Sequence, residues 1–361
     1  MSFASIRDQE VPIRLLRNAI DQRRVPNGML FWGPEGVGKR LTAIEFAKAL
    51  NCEAPSDGAC GQCLACRKIA HGNHPDLHIA APVKKSRIID VDAINDIVEM
   101  ASLRPYESQW RIFLIVEADR MRPPAQNHLL KTLEEPVGQS VFVLLTEFPQ
   151  MLLPTIRSRC QRVRFGALRP STVVEFLLRD RELTPAQAEA IAALSQGQMS
   201  RAFDLVDSDK RTVVMDVVQR LAQGEDPLAV AEEFAAYIAA RRAQIEAALK
   251  AGQDPAEAKE LGKEDRERIK EEQSALADAL GRRDIMEHLY LIGTWYRDIL
   301  VYSAAGDVSH VLNRDHQALL TTTGIDRAAA CIAAVEKTRV YLERFLNEER
   351  VFRDLFFALA P

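Results

Sequence analysis

The chain has 361 residues, 47% of them hydrophobic and 27% charged, with a formal net charge of -4. That length exceeds one small core and predicts roughly two or three domains of ordinary globular composition. The acidic balance argues against a free-standing nucleic-acid binder working through a basic surface, and no apolar run reaches bilayer length.

The start, Met1-Ser2-Phe3-Ala4-Ser5-Ile6-Arg7, puts a charge before any hydrophobic block, unlike a signal peptide. A cytoplasmic location with reduced thiols and no membrane partner is the expectation. Residues 1–28 read as a lead-in helix with Val11, Ile13, Leu15, Leu16, Ala19 and Ile20 roughly on one face, stopped by Pro26-Asn27-Gly28. An apolar run, Met29 to Trp32, then meets Gly33-Pro34-Glu35-Gly36-Val37-Gly38-Lys39-Arg40, and an amphipathic helix pattern follows from Leu41 to Leu50. Strand, glycine-rich turn and helix are the context a phosphate-cradling P-loop needs. The glycines 33, 36 and 38 let backbone N–H groups face phosphates, and Lys39 adds a point charge that needs no metal. Arg40 stands where a working loop has Ser or Thr, whose hydroxyl helps to hold Mg²⁺. A guanidinium has donors only and ligates no cation, so no Mg²⁺ is expected here.

Cys60, Cys63 and Cys66 have C-x2-C-x2-C spacing, and Cys52 lies one short loop upstream. Four thiolates so placed can close around a tetrahedral Zn²⁺, whereas two disulfides would need an oxidising compartment. A structural zinc site is therefore expected, with no open position for catalysis. His71, His74 and His78 follow at irregular spacing around Pro75 and are read as loop packing beside a complete ligand set.

Leu77–Ala81 reads as a short strand, Val91–Ser102 as a helix, and Ile112–Val116 as a buried strand. Glu117-Ala118-Asp119-Arg120 lies at the carboxyl end of that strand, where parallel sheets place ligands. A helix over Pro124–Glu135, closed by Pro136, leads to a second buried strand, Val141–Leu145, with Thr146 at its tip. This alternation through residue 165 predicts an α/β module with a parallel sheet and helices on both faces. Beyond it, Pro170–Asp180, Pro185–Ser195 and Met199–Val206 are helices with no strand between them, and Gly197 marks a turn. Everything after about residue 209 reads as helical. Ile245–Arg283 mixes both charge signs with few large apolar residues, as a solvated hairpin or arm would, while Met286–Ala304 and Ala328–Ala360 are the packed part.

The order is distinctive: the P-loop, the four cysteines, His74-Pro75-Asp76-Leu77-His78, Ser102-Leu103-Arg104-Pro105-Tyr106, then Leu130-Lys131-Thr132-Leu133-Glu134-Glu135-Pro136 and Ser158-Arg159-Cys160. It resembles the delta-prime family of bacterial DNA polymerase III clamp-loader subunits, which are AAA+ proteins. Residues 1 to about 207 carry the resemblance; beyond them it rests on length and helicity. It implies an AAA+ α/β P-loop domain over 1–166 with its zinc module at about 51–67, a helical lid over 167–207, and an all-α collar for oligomerisation over 208–361. The implied partners are clamp-loader ATPase subunits and a delta subunit, with the sliding clamp and primed DNA reached through the assembly. The implied role is a subunit of a DNA-directed DNA polymerase holoenzyme that does not itself hydrolyse ATP.

In register with the hydrolysing members of that family, Val116 falls where the Mg²⁺-holding Asp belongs, and Glu117 falls on the water-polarising Glu. Phosphoryl transfer depends on metal neutralising charge on the phosphate oxygens, so no ATP hydrolysis by this chain is expected. Thr146 matches the sensor position at a strand tip, and Arg201 matches the lid arginine that senses nucleotide. Whether ATP or ADP binds at all is left open. Arg159, in Ser-Arg-Cys, is implied as an arginine finger supplied in trans to a neighbour's nucleotide. Three other readings compete, one of them a purely structural scaffold whose Arg159 is inert. An active AAA+ clamp-loader ATPase would need Thr or Ser at 40 and Asp at 116. A zinc-containing nucleic-acid-binding scaffold would need basic residues and aromatic rings on which bases stack, and Asn51–Arg67 has few of the first and none of the second.

Overall fold

Apolar runs alternating with amphipathic stretches build a five-stranded, all-parallel sheet in the computed structural model. The structure describes residues 3–55, 58–82, 88–135, 138–251, 263–320, 325–344 and 346–361. The strands are β1 (Gly28–Trp32), β2 (Leu77–Ala80), β3 (Arg111–Ile115), β4 (Ser140–Thr146) and β5 (Gln161–Arg164), in the order β2-β3-β4-β1-β5. The runs at β1, β3 and β4 are uninterruptedly apolar because these strands are covered on both sides. Met29, Phe31, Ile112, Leu114 and Val143 face a layer made by α1 (Glu10–Asp21), α2 (Lys39–Leu50) and α3 (Leu64–Ala70). Leu30, Phe113, Phe142 and Leu144 face the opposite layer, made by α4 (Val91–Ala101), α5 (Pro123–Glu134) and α6 (Pro154–Arg159). A ring ladder crosses the sheet on that side, with His78 stacked on Phe113 at 5.2 Å and Phe113 on Phe142 at 4.8 Å.

Two local expectations differ from the structure. Val11 is 55% exposed; Leu16 and Ala19 of the expected face are buried, joined by Pro12, and Ile13 and Ile20 pack partly buried against the core. Strand β5 has no sequence signature: Gln161, Arg162 and Arg164 are polar, and only Val163 is buried. An edge strand pairs on one side only, here through Trp32↔Arg164 and its neighbours, so charge is tolerated there. Pro136, expected to close α5, lies outside the described residues, as do residues 252–262 of the charged Ile245–Arg283 segment.

The second half is helical, as its composition indicates: α7 (Pro170–Asp180), α8 (Pro185–Leu194), α9 (Met199–Asp207), α10 (Lys210–Ala222), α11 (Pro227–Ala251), α12 (Lys263–Ala305), α13 (Ile325–Glu343) and α14 (Glu348–Leu359). Residues up to Thr172 with Gly197–Ser200 form one compact unit, and Val173–Gln196 with Arg201–Pro361 form the other. In the helical unit, the Phe234 ring of α11 meets Phe352 and Phe356 of α14 edge-on at 5.2 and 5.3 Å. The fully buried Asp298 of α12 accepts hydrogen bonds from the Leu312 and Asn313 backbone N–H groups, pinning a segment with no periodic signature. Among the described residues no helix is long and apolar enough to cross a membrane.

Candidate functional site

The P-loop forms as its glycines require. Gly33, Gly36 and Gly38 have φ of 148°, 74° and 98°, values that side chains resist, and Gly38 leads directly into α2. The Cα of Gly36 is tightly covered: a Cβ there would lie 2.4 Å from the Ser200 backbone nitrogen. Lys39 curls back on the loop and donates to the carbonyls of Gly33 and Pro34, both at 2.6 Å. Burial lowers the Lys39 pKa, and the carboxylates of Glu147, Glu35 and Asp119 push it back up. Arg40, the next residue, is exposed. From the amino-terminal side, the buried Gln9 amide donates to Gly166 O at 2.9 Å and Val37 O at 3.3 Å, and its carbonyl accepts the Gly166 N–H.

At the carboxyl end of β3, Val116 packs partly buried against the core. Glu117 takes the left-handed conformation, φ 52° and ψ 51°, and lies 3.6 Å from Arg120. Asp119, in the following turn, accepts a 2.5 Å hydrogen bond from the Thr146 hydroxyl, which in turn accepts the Phe148 N–H. The structure thus brings Lys39, Asp119 and Thr146 to one edge of the sheet. Asp119 lies in the strand-end stretch the sequence points to, where Glu117 is the favoured carboxylate and Asp119 the minority one because it sits in the following turn; it is Asp119 whose side chain reaches Thr146 and faces Lys39. Arg201 belongs to the helical unit, where it donates to Glu287 at 2.8 Å and lies over the Tyr290 ring at 4.1 Å.

Ser158-Arg159-Cys160 divides its work by residue. Cys160 is buried under β1, where a Cβ on Gly28 would meet its sulfur at 3.0 Å, and burial pushes its thiol up to about 12. The Ser158 hydroxyl donates to Thr155 O, ending α6. Arg159, between them, reaches outward, with its side chain 36% exposed, and pairs with Glu134 at the end of α5.

The four cysteines converge, their sulfurs all within 4.8 Å of one another. A tetrahedron with metal–sulfur bonds of about 2.3 Å has edges of roughly 3.8 Å, and Cys60 and Cys66 lie 4.0 Å apart. Backbone N–H groups of Cys60, Cys63 and Cys66 point at the sulfurs of Cys52, Cys60 and Cys63 at 3.2–3.4 Å. The N–H groups of Cys63 and Gln62 bring the Cys60 thiol down to about 6. This donor set fits a four-coordinate metal.

No histidine joins that set. His74 accepts the Asp76 N–H at Nδ1, so its Nε2 carries the proton and donates to the Ser108 hydroxyl at 2.9 Å. Fully buried Asp76 accepts N–H groups from Tyr106, Glu107 and Ser108 at 2.6, 2.9 and 3.0 Å and pairs with Arg111 at 3.2 Å. His74 thus packs a loop, as expected of it, while Asp76, unassigned by sequence reading, shapes the loop after α4.

The family described as "DNA polymerase III, delta subunit" matches residues 8–169. The chain is 35% identical over 202 residues to DNA polymerase III subunit delta' of Bacillus subtilis, covering 55% of this chain and 59% of that one. It is 36% identical over 197 residues to subunit delta' of Pseudomonas aeruginosa, covering 53% and 60%. Subunit tau of Bacillus subtilis is 34% identical over 211 residues, covering 57% of this chain and 37% of tau. The matched part thus spans about three fifths of the length of the two delta' relatives. Through the α/β unit that bears the P-loop and the four cysteines, the chain is similar to DNA polymerase III delta' subunits.

Proposed function

We propose that this chain is a delta-prime-type subunit of a bacterial clamp loader, an AAA+ protein that helps to place a sliding clamp on primed DNA without hydrolysing ATP itself. One observation carries the reading: the P-loop keeps its glycine geometry and its lysine, while both side chains that would support Mg²⁺ are missing. Exposed Arg40 stands at the hydroxyl position, and core-packed Val116 stands at the carboxylate position. A remaining Glu117 without metal cannot neutralise charge on a β,γ-phosphate bridge. Lys39 rests on two loop carbonyls, so a nucleotide phosphate must displace both bonds to use it.

Arg159 acts for a neighbour. Anchored by Cys160 and carried at the end of α6, its guanidinium supplies a planar, permanently charged fork to a γ-phosphate held by an adjoining ATPase subunit. Cys52, Cys60, Cys63 and Cys66 hold a structural Zn²⁺, which cross-links the loop after α2 to the start of α3. Residues 167–207 serve as the lid and 208–361 as the collar that joins ATPase and delta subunits in the ring. The assembly works in the cytoplasm.

ATP turnover by the isolated chain with Mg²⁺ tests the non-hydrolysing part. The expected result is none above a protein-free blank. Turnover that Lys39→Ala abolishes would overturn it.

A further inference from the structure

Arg159 is not idle in the free chain. Its Nε donates to Glu134 Oε1 at 2.5 Å, Nη2 contacts the same oxygen, and Nη1 donates to Thr155 O at 3.1 Å. Glu134 is the last residue of α5, at the negative end of the helix macrodipole, where a carboxylate is disfavoured and a cation beside it offsets the repulsion. The Nε–Nη2 edge that Glu134 occupies is the edge a phosphate would take in a bidentate contact, so the two partners exclude each other. Both side chains are more than a third exposed, which keeps the pair weak and exchangeable.

We propose that Glu134 is a positioning residue that parks Arg159 until a neighbour's triphosphate replaces it, which restrains hydrolysis before clamp and DNA assemble the ring productively. The proposal rests on the reading of Arg159 as a finger in trans. Thr155 holds the third N–H throughout, so exchange needs only a short swing of the guanidinium from carboxylate to phosphate. Because the parked pair is solvent-exposed, removing the carboxylate changes basal turnover by about two- to fivefold rather than by orders of magnitude.

The test is ATP turnover of a reconstituted clamp loader, without and with clamp and primed DNA, carrying Glu134→Gln, Arg159→Ala or both. Gln keeps the length and helix preference of Glu at an exposed site, so the fold persists. The expected result is a basal rate raised about two- to fivefold by Glu134→Gln, with stimulated turnover unchanged and no rise when Arg159→Ala is also present. A basal rate that stays level or falls, while Arg159→Ala still lowers stimulated turnover, overturns the parking role and leaves the finger standing. A rise that persists in the double variant overturns it too, because the effect would not pass through Arg159. If Arg159→Ala changes nothing, the finger fails and the parking role fails with it.

Discussion

Replacing Asp76 by Asn removes one charge from a buried constellation and leaves its shape almost intact. Oδ1 accepts from Tyr106 N–H and the Arg111 guanidinium, and Oδ2 accepts from the N–H groups of Glu107 and Ser108. An amide turns one of these oxygens into a donor: at the Oδ1 place its NH₂ faces three donors, the Tyr106 N–H and two of Arg111, and at the Oδ2 place two, the N–H groups of Glu107 and Ser108, which makes the second orientation the less costly. Each orphaned buried donor costs about 1–3 kcal/mol, which sums to about 2–6 kcal/mol. Breaking a buried ion pair from one side costs about 3–5 kcal/mol by a separate route. Arg111 keeps its 2.6 Å bond to Met100 O, which places the expected loss near the lower end, about 3 kcal/mol.

Burial alone would raise the Asp76 pKa, but the three N–H groups and Arg111 outweigh it and hold it below the ordinary carboxylate value. A depressed folded pKa stabilises above the unfolded value of about 3.9 and loses that contribution as pH falls through the folded pKa. The wild-type advantage over Asp76→Asn should therefore shrink below about pH 4. Urea unfolding read by tryptophan fluorescence, with amide exchange at Tyr106, Glu107 and Ser108, measures both effects. A midpoint shift equivalent to less than about 1 kcal/mol, with amide protection unchanged, would refute the accounting.

Gly36→Ala should destabilise the α/β unit more than Gly38→Ala. Both carry left-handed strain of about 1–2 kcal/mol, but only at Gly36 does a Cβ meet backbone, 2.4 Å from Ser200 N, whereas Gly38 has nothing within 4 Å. Thermal melts of the two variants decide it, and equal losses would contradict the packing argument. Purified chain should contain one zinc per molecule by elemental analysis. Cys66→Ser or a strong chelator should remove the metal and lower the melting temperature, because metal binding to such a site is linked to folding.

The sheet was legible because buried parallel strands leave unbroken apolar runs, as at Ile112–Ile115 and Val141–Leu145. The edge strand β5 was not, since one-sided pairing lets Gln161, Arg162 and Arg164 stay polar. The cysteine cluster was readable from spacing because a short loop confines the ligands. The groups around Lys39 were harder to find. Asp119 and Glu147 are distant from it in sequence, and only the parallel register that brings the ends of β1, β3 and β4 together makes them neighbours. Glu134 lay inside the Leu130–Pro136 motif without a role of its own, since a helix-terminal carboxylate gains meaning only from Arg159, which arrives from another helix. The segment held by Asp298 shows the same limit, because a single buried acceptor organises it without any repeat.

The most direct test of the central claim is ATP turnover of a reconstituted clamp loader, with clamp and primed DNA, comparing wild-type chain and Arg159→Ala. A finger is worth roughly 10³–10⁵ in rate at its own site, so the variant should lower turnover of the whole assembly at least several-fold. Turnover indistinguishable from wild type, in an assembly of normal composition, would contradict the account and leave this chain a scaffold.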